Sequence, residues 1–178
     1  MSDVDNHDGL HEDESGEEEE DGWTQEERRE DEEIEEYITS HPLVKIGGKT
    51  YDRRTVTEIE VGEGVTEIED NIFRCCKNLS SVKLSSTILS IGARAFYLNK
   101  SLRSIKLPKY LVTLSWGAFR SSSLRSIVIP NTVTHLGHNL FNSCKYLTSV
   151  TLPNKYHPSK AILSIIVHHS RPSFFLLP

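Results

Sequence analysis

Three residues of metal-ligand type fall close together at His135, His138 and Cys144, and a further pair, His168 and His169, stands near the C-terminus. Imidazole and thiolate at such separations are the donors of a zinc site. Cys144, however, is in phase with Cys76 in a 23-residue repeat, whereas the two histidines occupy positions that the repeat does not hold constant. Surface histidines are the better account, and no metal site is expected. Other catalytic arrangements are missing too: there is no glycine-rich phosphate loop, nucleophile elbow or pair of acids. After Asp70 there is no Asp or Glu, against fourteen Lys and Arg, so general acid or base work there has no carboxylate. The expectation is a protein that is not an enzyme and carries no cofactor.

What remains is recognition chemistry. Ser81, Lys83, Ser104 and Lys106 recur at matched positions, with Arg103 and Arg125 one step before the serine row in consecutive repeats. A strip of cations and hydroxyls steers and holds an acidic partner through many weak contacts. Those six residues are the expected partner-binding site. Lysine and arginine would neutralise phosphates as well, so a polyanion such as nucleic acid is the alternative ligand. The aromatics able to stack on bases are few, chiefly Tyr97, Tyr110, Trp116 and Tyr146. Membrane association ranks lower, since no amphipathic helix or lipidation signal supports it.

The elements that position the strip follow from the repeat. Its copies run 56–78, 79–101, 102–123 (one residue short) and 124–146, and a fifth opens at Leu147 and fails after Asn154. A period in the twenties marks a stacked solenoid, in which one unit cannot bury its apolar face alone. Alternation predicts a short strand in each copy, with Ile59 and Val61, Val82 and Leu84, Ile105 and Leu107, Ile127 and Ile129, Val150 and Leu152 pointing inward. Pro108, Pro130 and Pro153 fit strand ends, because proline has no amide to continue a ladder. A second apolar pair, from Val65 and Ile68 to Val133 and Leu136, supplies the turn and a second wall. Phe73, Phe96, Phe119 and Phe141 supply a third layer as a stacked spine.

The segments LRSIVIPNTVTHLGHNLFNSC and LSSVKLSSTILSIGARAFYLN carry the pattern most fully. This pattern resembles the BspA-like leucine-rich repeat family over about residues 56–154. The resemblance implies a right-handed solenoid with short parallel strands on one face and turns or short helical segments on the other. It also implies a surface or adhesion role, as described for family members in bacteria and protists. The family's cysteine is kept as Cys76 and Cys144, is Asn99 in the second copy and is displaced in the third. Its glycine is kept as Gly92 and Gly137 but is Glu69 and Ser115 elsewhere.

Charge divides the chain sharply. Residues 1–36 hold 19 Asp and Glu against two Arg, and residues 37–178 hold 7 acidic against 18 basic side chains. The stretch HEDESGEEEED cannot offset its ordering entropy, so residues 1–22 are expected to be a disordered acidic tail. Such a tail either solubilises or lies on the basic domain as a polyanion mimic that modulates access. Ser15 before Glu17 and Glu18 is in an acidophilic-kinase context.

Residues 23–55 are expected to cap the first repeat. Thr24 and Glu27 have capping-box spacing, Ile34, Tyr37 and Ile38 recur at helical intervals, Pro42 stops the helix, and Gly47-Gly48 turns a hairpin. The acidic N-terminus has no apolar leader, so an intracellular protein without a membrane span is expected. Cys76 and Cys144 would lie about 14 Å apart at strand spacing, beyond the ~7 Å Cα limit of a disulfide. The sequons at Asn78 and Asn99 carry little weight without secretion. Residues 155–178 form an irregular tail whose apolar run, 161–167, falls far short of the ~20 residues that span a bilayer. It is either a capping strand, an interface for self-association through the uncapped last repeat, or a truncated or mis-joined end.

Overall fold

The computed structural model describes residues 25–156 and the strand Ser173–Leu176. The acidic tail with Ser15, Thr24 of the capping box, the 161–167 run and His168-His169 lie outside the described residues. The chain opens with helix α1 (Gln25–Ser40), ended by His41-Pro42, and continues into a hairpin of β1 (Leu43–Ile46) and β2 (Lys49–Asp52). Ile46 pairs with Lys49 across Gly47 and Gly48, whose φ values of 56° and 73° are those of the tight turn that matches strand twist.

The repeats wind into coils with three walls. The first wall is a row of parallel strands: β3 (Glu58–Val61) pairs with β5 (Ser81–Leu84), and β8 (Ser126–Val128) pairs with β10 (Ser149–Leu152). The row is interrupted in the third copy, where Ser104–Leu107 keeps the alternation but forms no strand: Ile105 and Leu107 are buried, Ser104 and Lys106 exposed. The inward residues expected from alternation are all buried apart from Leu84, which is half-buried.

The apolar pairs build the expected second wall, and it takes the form of a sheet. The two-residue strands β4 (Glu67–Ile68), β6 (Ser90–Ile91), β7 (Thr113–Leu114) and β9 (His135–Leu136) pair in parallel order, one from each coil. The third wall holds tight turns where short helical segments were an option. Phe73, Phe96, Phe119 and Phe141 are fully buried there, with successive ring centroids 5.1, 5.3 and 5.8 Å apart. Burying each ring is worth roughly 1.5–3 kcal/mol, and stacking about 0.5–1.5 kcal/mol more per pair. Each turn is flanked by two left-handed residues: Asn71 and Cys75, Arg94 and Leu98, Gly117 and Ser121, Asn139 and Ser143. This geometry aims amides along the stack, so Phe73 N–H donates to Ala95 O and Phe96 N–H to Ala118 O.

The open first coil has carbonyls that a preceding coil would otherwise serve. Ala95 O and Tyr97 O accept from the amides of Phe73 and Cys75, and the equivalent acceptors in coil 1 are Ile72 O and Arg74 O. The buried Arg53 guanidinium donates to both. Its Nε donates to His41 O as well, 2.7 Å away. Arg53 thereby takes the place of a missing coil, and Val44 from the hairpin extends the main core beneath it. At the other end, β11 (Ser173–Leu176) pairs in parallel with β10, Ser149 opposite Ser173, so part of the tail expected to be irregular adds one strand to the first wall.

Candidate interaction groove

Four residues after each spine phenylalanine the chain turns out of the third wall toward the first. That position is Lys77, Lys100, Ser123 and Lys145 in successive coils. Stacking therefore lines up a ladder of cations at one corner, with Arg103 and Arg125 beside it.

Helix α1 is seated on the first two rungs. The sequence places helix and hairpin together over the open end; the structure puts the helix against the side of coils 1 and 2. Ile34 and Ile38 are buried with Cys75, Tyr97 and Leu98 in a small apolar cluster separate from the main core. Tyr37 packs against this cluster, with the Arg74 guanidinium 4.3 Å and that of Arg53 5.2 Å from its ring centroid. Around this apolar contact runs an acidic rim. Glu30 pairs with Lys100 and Glu33 with Arg74. Glu35 pairs with Lys77, 2.6 Å away, and with Arg54. Tyr97 donates its hydroxyl to Glu33 Oε2 at 3.1 Å. The hydrogen bonds from Lys77 and then Arg54 hold the Glu35 carboxyl below its ordinary range. Burial, reinforced by the charge of Glu33, pushes the Tyr97 phenol up to about 12.

Beside the helix the corner opens into a groove of about 1040 Å³ lined by Lys77, Lys100, Arg103, Arg125 and Lys145, by Ser121, Ser122 and Ser123, and by Glu30 and Asp31. Among the described residues five cations thus line the groove with two carboxylates, and two of the five are already paired with α1, Lys100 with Glu30 and Lys77 with Glu35. Low-dielectric walls around charges of one sign focus their field on an incoming anion.

The six strip residues separate in the folded chain. Arg103 and Arg125 line the groove. Lys83 and Lys106 are exposed on the first wall, with Ser81 half-buried and Ser104 exposed. Lys83 stands opposite Glu60 and Ser81 opposite Glu58 in the parallel register. The strand strip is therefore bordered by acid, and the stronger cationic field lies around the corner. Sequence reasoning passed over Lys77, Lys100 and Lys145, although their in-phase recurrence was the signal that would have found them.

The histidine–cysteine alternative can be placed as well. His135 and His138 are exposed, whereas Cys144 is buried with its thiol donating to Phe119 O at 3.1 Å. Asn99 makes the same contact two coils earlier, donating to Phe73 O at 2.8 Å, and Ser122 holds that position in the third coil, between them. Burial pushes the Cys75, Cys76 and Cys144 thiols up to about 11, 12 and 11. All three are free. Among the described residues there is no cluster of three or more metal-ligand side chains, and no helix is long and apolar enough to cross a membrane.

Residues 30–160 match the family described as BspA type leucine rich repeat region, in six copies. Among solved structures, a leucine-rich repeat protein from Bacteroides ovatus is 30% identical, with a TM-score of 0.56 over 64% of this chain and 33% of that one. The T. pallidum leucine rich repeat protein is 21% identical, with a TM-score of 0.51 over 67% of this chain and 73% of that one. Pneumococcal vaccine antigen PcpA is 18% identical, with a TM-score of 0.56 over 76% and 34%. The last two likenesses concern the fold alone. This chain thus spans about a third of the Bacteroides ovatus protein. Among curated proteins, none matches. The expected intracellular location gains no support from these likenesses.

Proposed function

Because the chain belongs to the BspA-type leucine-rich repeat family, we propose that its solenoid is a non-catalytic interaction module that binds an acidic segment of a partner protein, with the acidic N-terminal stretch modulating access. The observation that carries this reading is the corner groove, where Arg103 and Arg125 stand exposed beside Lys77 and Lys100, which already hold carboxylates of α1. The strand face with Ser81, Lys83, Ser104 and Lys106 flanks it and extends the contact. A solenoid spreads affinity over many such weak contacts, and charge sets on-rate and partner choice more than affinity.

Fluorescence anisotropy with labelled polyglutamate tests it, using the full chain. Arg103→Glu with Arg125→Glu should weaken binding at least about tenfold, the equivalent of 1.4 kcal/mol, and Lys83→Glu with Lys106→Glu by less. Unchanged affinity in a folded Arg103→Glu, Arg125→Glu protein would remove the groove from the reading. A polyanion is the second reading, favoured by the exposed Arg103 and Arg125 of the groove, whose guanidiniums would neutralise phosphates as well as carboxylates. Tighter and more salt-steep binding of single-stranded DNA than of polyglutamate would select it.

A further inference from the structure

Helix α1 already shows how this corner holds an acidic ligand, since it uses an apolar anchor and an acidic rim on consecutive coils. Ile34 and Ile38, one helical turn apart, fill the depression formed by Cys75, Tyr97 and Leu98. Glu30, Glu33 and Glu35 reach the cations around it. Five residues separate Glu30 from Glu35, about 7.5 Å of helix, while Lys100 and Lys77 are one coil apart, about 4.8 Å. The helix thus reaches two adjacent coils, and the groove beside it keeps Arg103 and Arg125 exposed.

We propose that α1 is a pseudoligand, and that the partner's acidic segment is an amphipathic helix that displaces it from Lys77 and Lys100. The proposal rests on the functional reading above and names the ligand class for that same site. The ligand pattern is the one α1 displays: two aliphatic residues four apart, with carboxylates four and one before the first and one after it. Arg103 and Arg125 give the incoming helix its first contact while α1 is still seated. The seated helix contacts the solenoid through a small apolar cluster, the Tyr37 ring against Arg53 and Arg74, and ion pairs, of which those of Glu35 with Lys77 and Arg54 are open enough for water and salt to weaken. Tethering gives it an effective concentration on the order of millimolar, so a competing helix gains most when the rim of α1 is neutralised.

The test uses the full chain and a fluorescein-labelled peptide of this chain's residues 25–40, with polyglutamate as the second probe. Glu30→Gln, Glu33→Gln and Glu35→Gln together should tighten binding of the 25–40 peptide at least about tenfold over wild type, because the tethered competitor is weakened. Adding Lys77→Glu and Lys100→Glu should abolish it, as should Ile34→Ala with Ile38→Ala in the peptide. Circular dichroism confirms that each variant remains folded. Equal peptide affinity in wild type and the triple Gln variant, or binding that survives the two lysine reversals, overturns the pseudoligand. If polyglutamate still binds and still depends on Arg103 and Arg125, only the pseudoligand falls. If neither peptide binds any variant, the functional reading falls with it.

Discussion

Gly92 lies against the backbone of Asp70 in the preceding coil, where a Cβ added to it would come within 2.6 Å of the Asp70 amide nitrogen. Gly137 stands in the same relationship to the third coil: an added Cβ would meet Ser115 C at 2.5 Å and Trp116 Cα at 2.8 Å. These contacts are with backbone, so relief requires the coils to separate. Gly92→Ala and Gly137→Ala should each destabilise the fold by about 1–3 kcal/mol, as overpacking does. Thermal unfolding followed by circular dichroism reads this as a drop of several degrees, and an unchanged midpoint would contradict the close approach.

Arg53 is buried with no carboxylate partner among the described residues, its donors being used on carbonyls and on Cys76 Sγ. Arg53→Met keeps much of the volume and strands Ile72 O and Arg74 O, a loss of roughly 1–3 kcal/mol for each buried unsatisfied group. Arg53→Lys should recover only part, since an ammonium lacks the planar fork. Urea titration should rank wild type above Lys above Met; Lys equal to wild type would mean that charge, not fork geometry, caps the coil.

The three thiols are raised to about 11, 12 and 11 and are buried. Thiolate is the reactive form, so native protein at pH 8 should react with a disulfide reagent far more slowly than protein in denaturant. Rapid reaction of even one thiol in the native state would show that a wall of the solenoid opens.

The docked helix should respond to acid. The folded-state carboxyl of Glu35 lies below its ordinary value, so its contribution is present above the unfolded carboxylate range, near 4.3, and is lost as pH falls through the depressed folded value. Hydrogen exchange of α1 amides should accelerate toward pH 3 relative to the coil amides, after correction for intrinsic rates. Equal acceleration across the chain would indicate that α1 is not a separate unit.

The repeat was legible in the sequence because its cause is local. Alternation of apolar residues over Glu58–Val61 and the in-phase phenylalanines are properties of single coils, and stacking identical coils leaves few other arrangements. The sequence also carried the candidate cations, Arg103 and Arg125 among them, and the helix that starts the described chain. The second sheet was less legible, since strands of two residues have too little alternation to register.

Residue spacing and composition are enough to specify the periodic solenoid, its buried layers and the division of charge between an acidic N-terminal part and a basic remainder. Which cations face the same space depends on how the coils pack. Lys77 and Lys100 are 23 positions apart in the chain and become neighbouring rungs through stacking, while Lys83, nearer in sequence to Lys77, is turned onto another wall beside Glu60. The same packing makes Arg53 complete the first coil and spends Glu30, Glu33 and Glu35 on the solenoid itself. The reason is physical. Side-chain periodicity is encoded within one turn of chain, whereas charge pairing depends on distances between turns that are set when the coils pack.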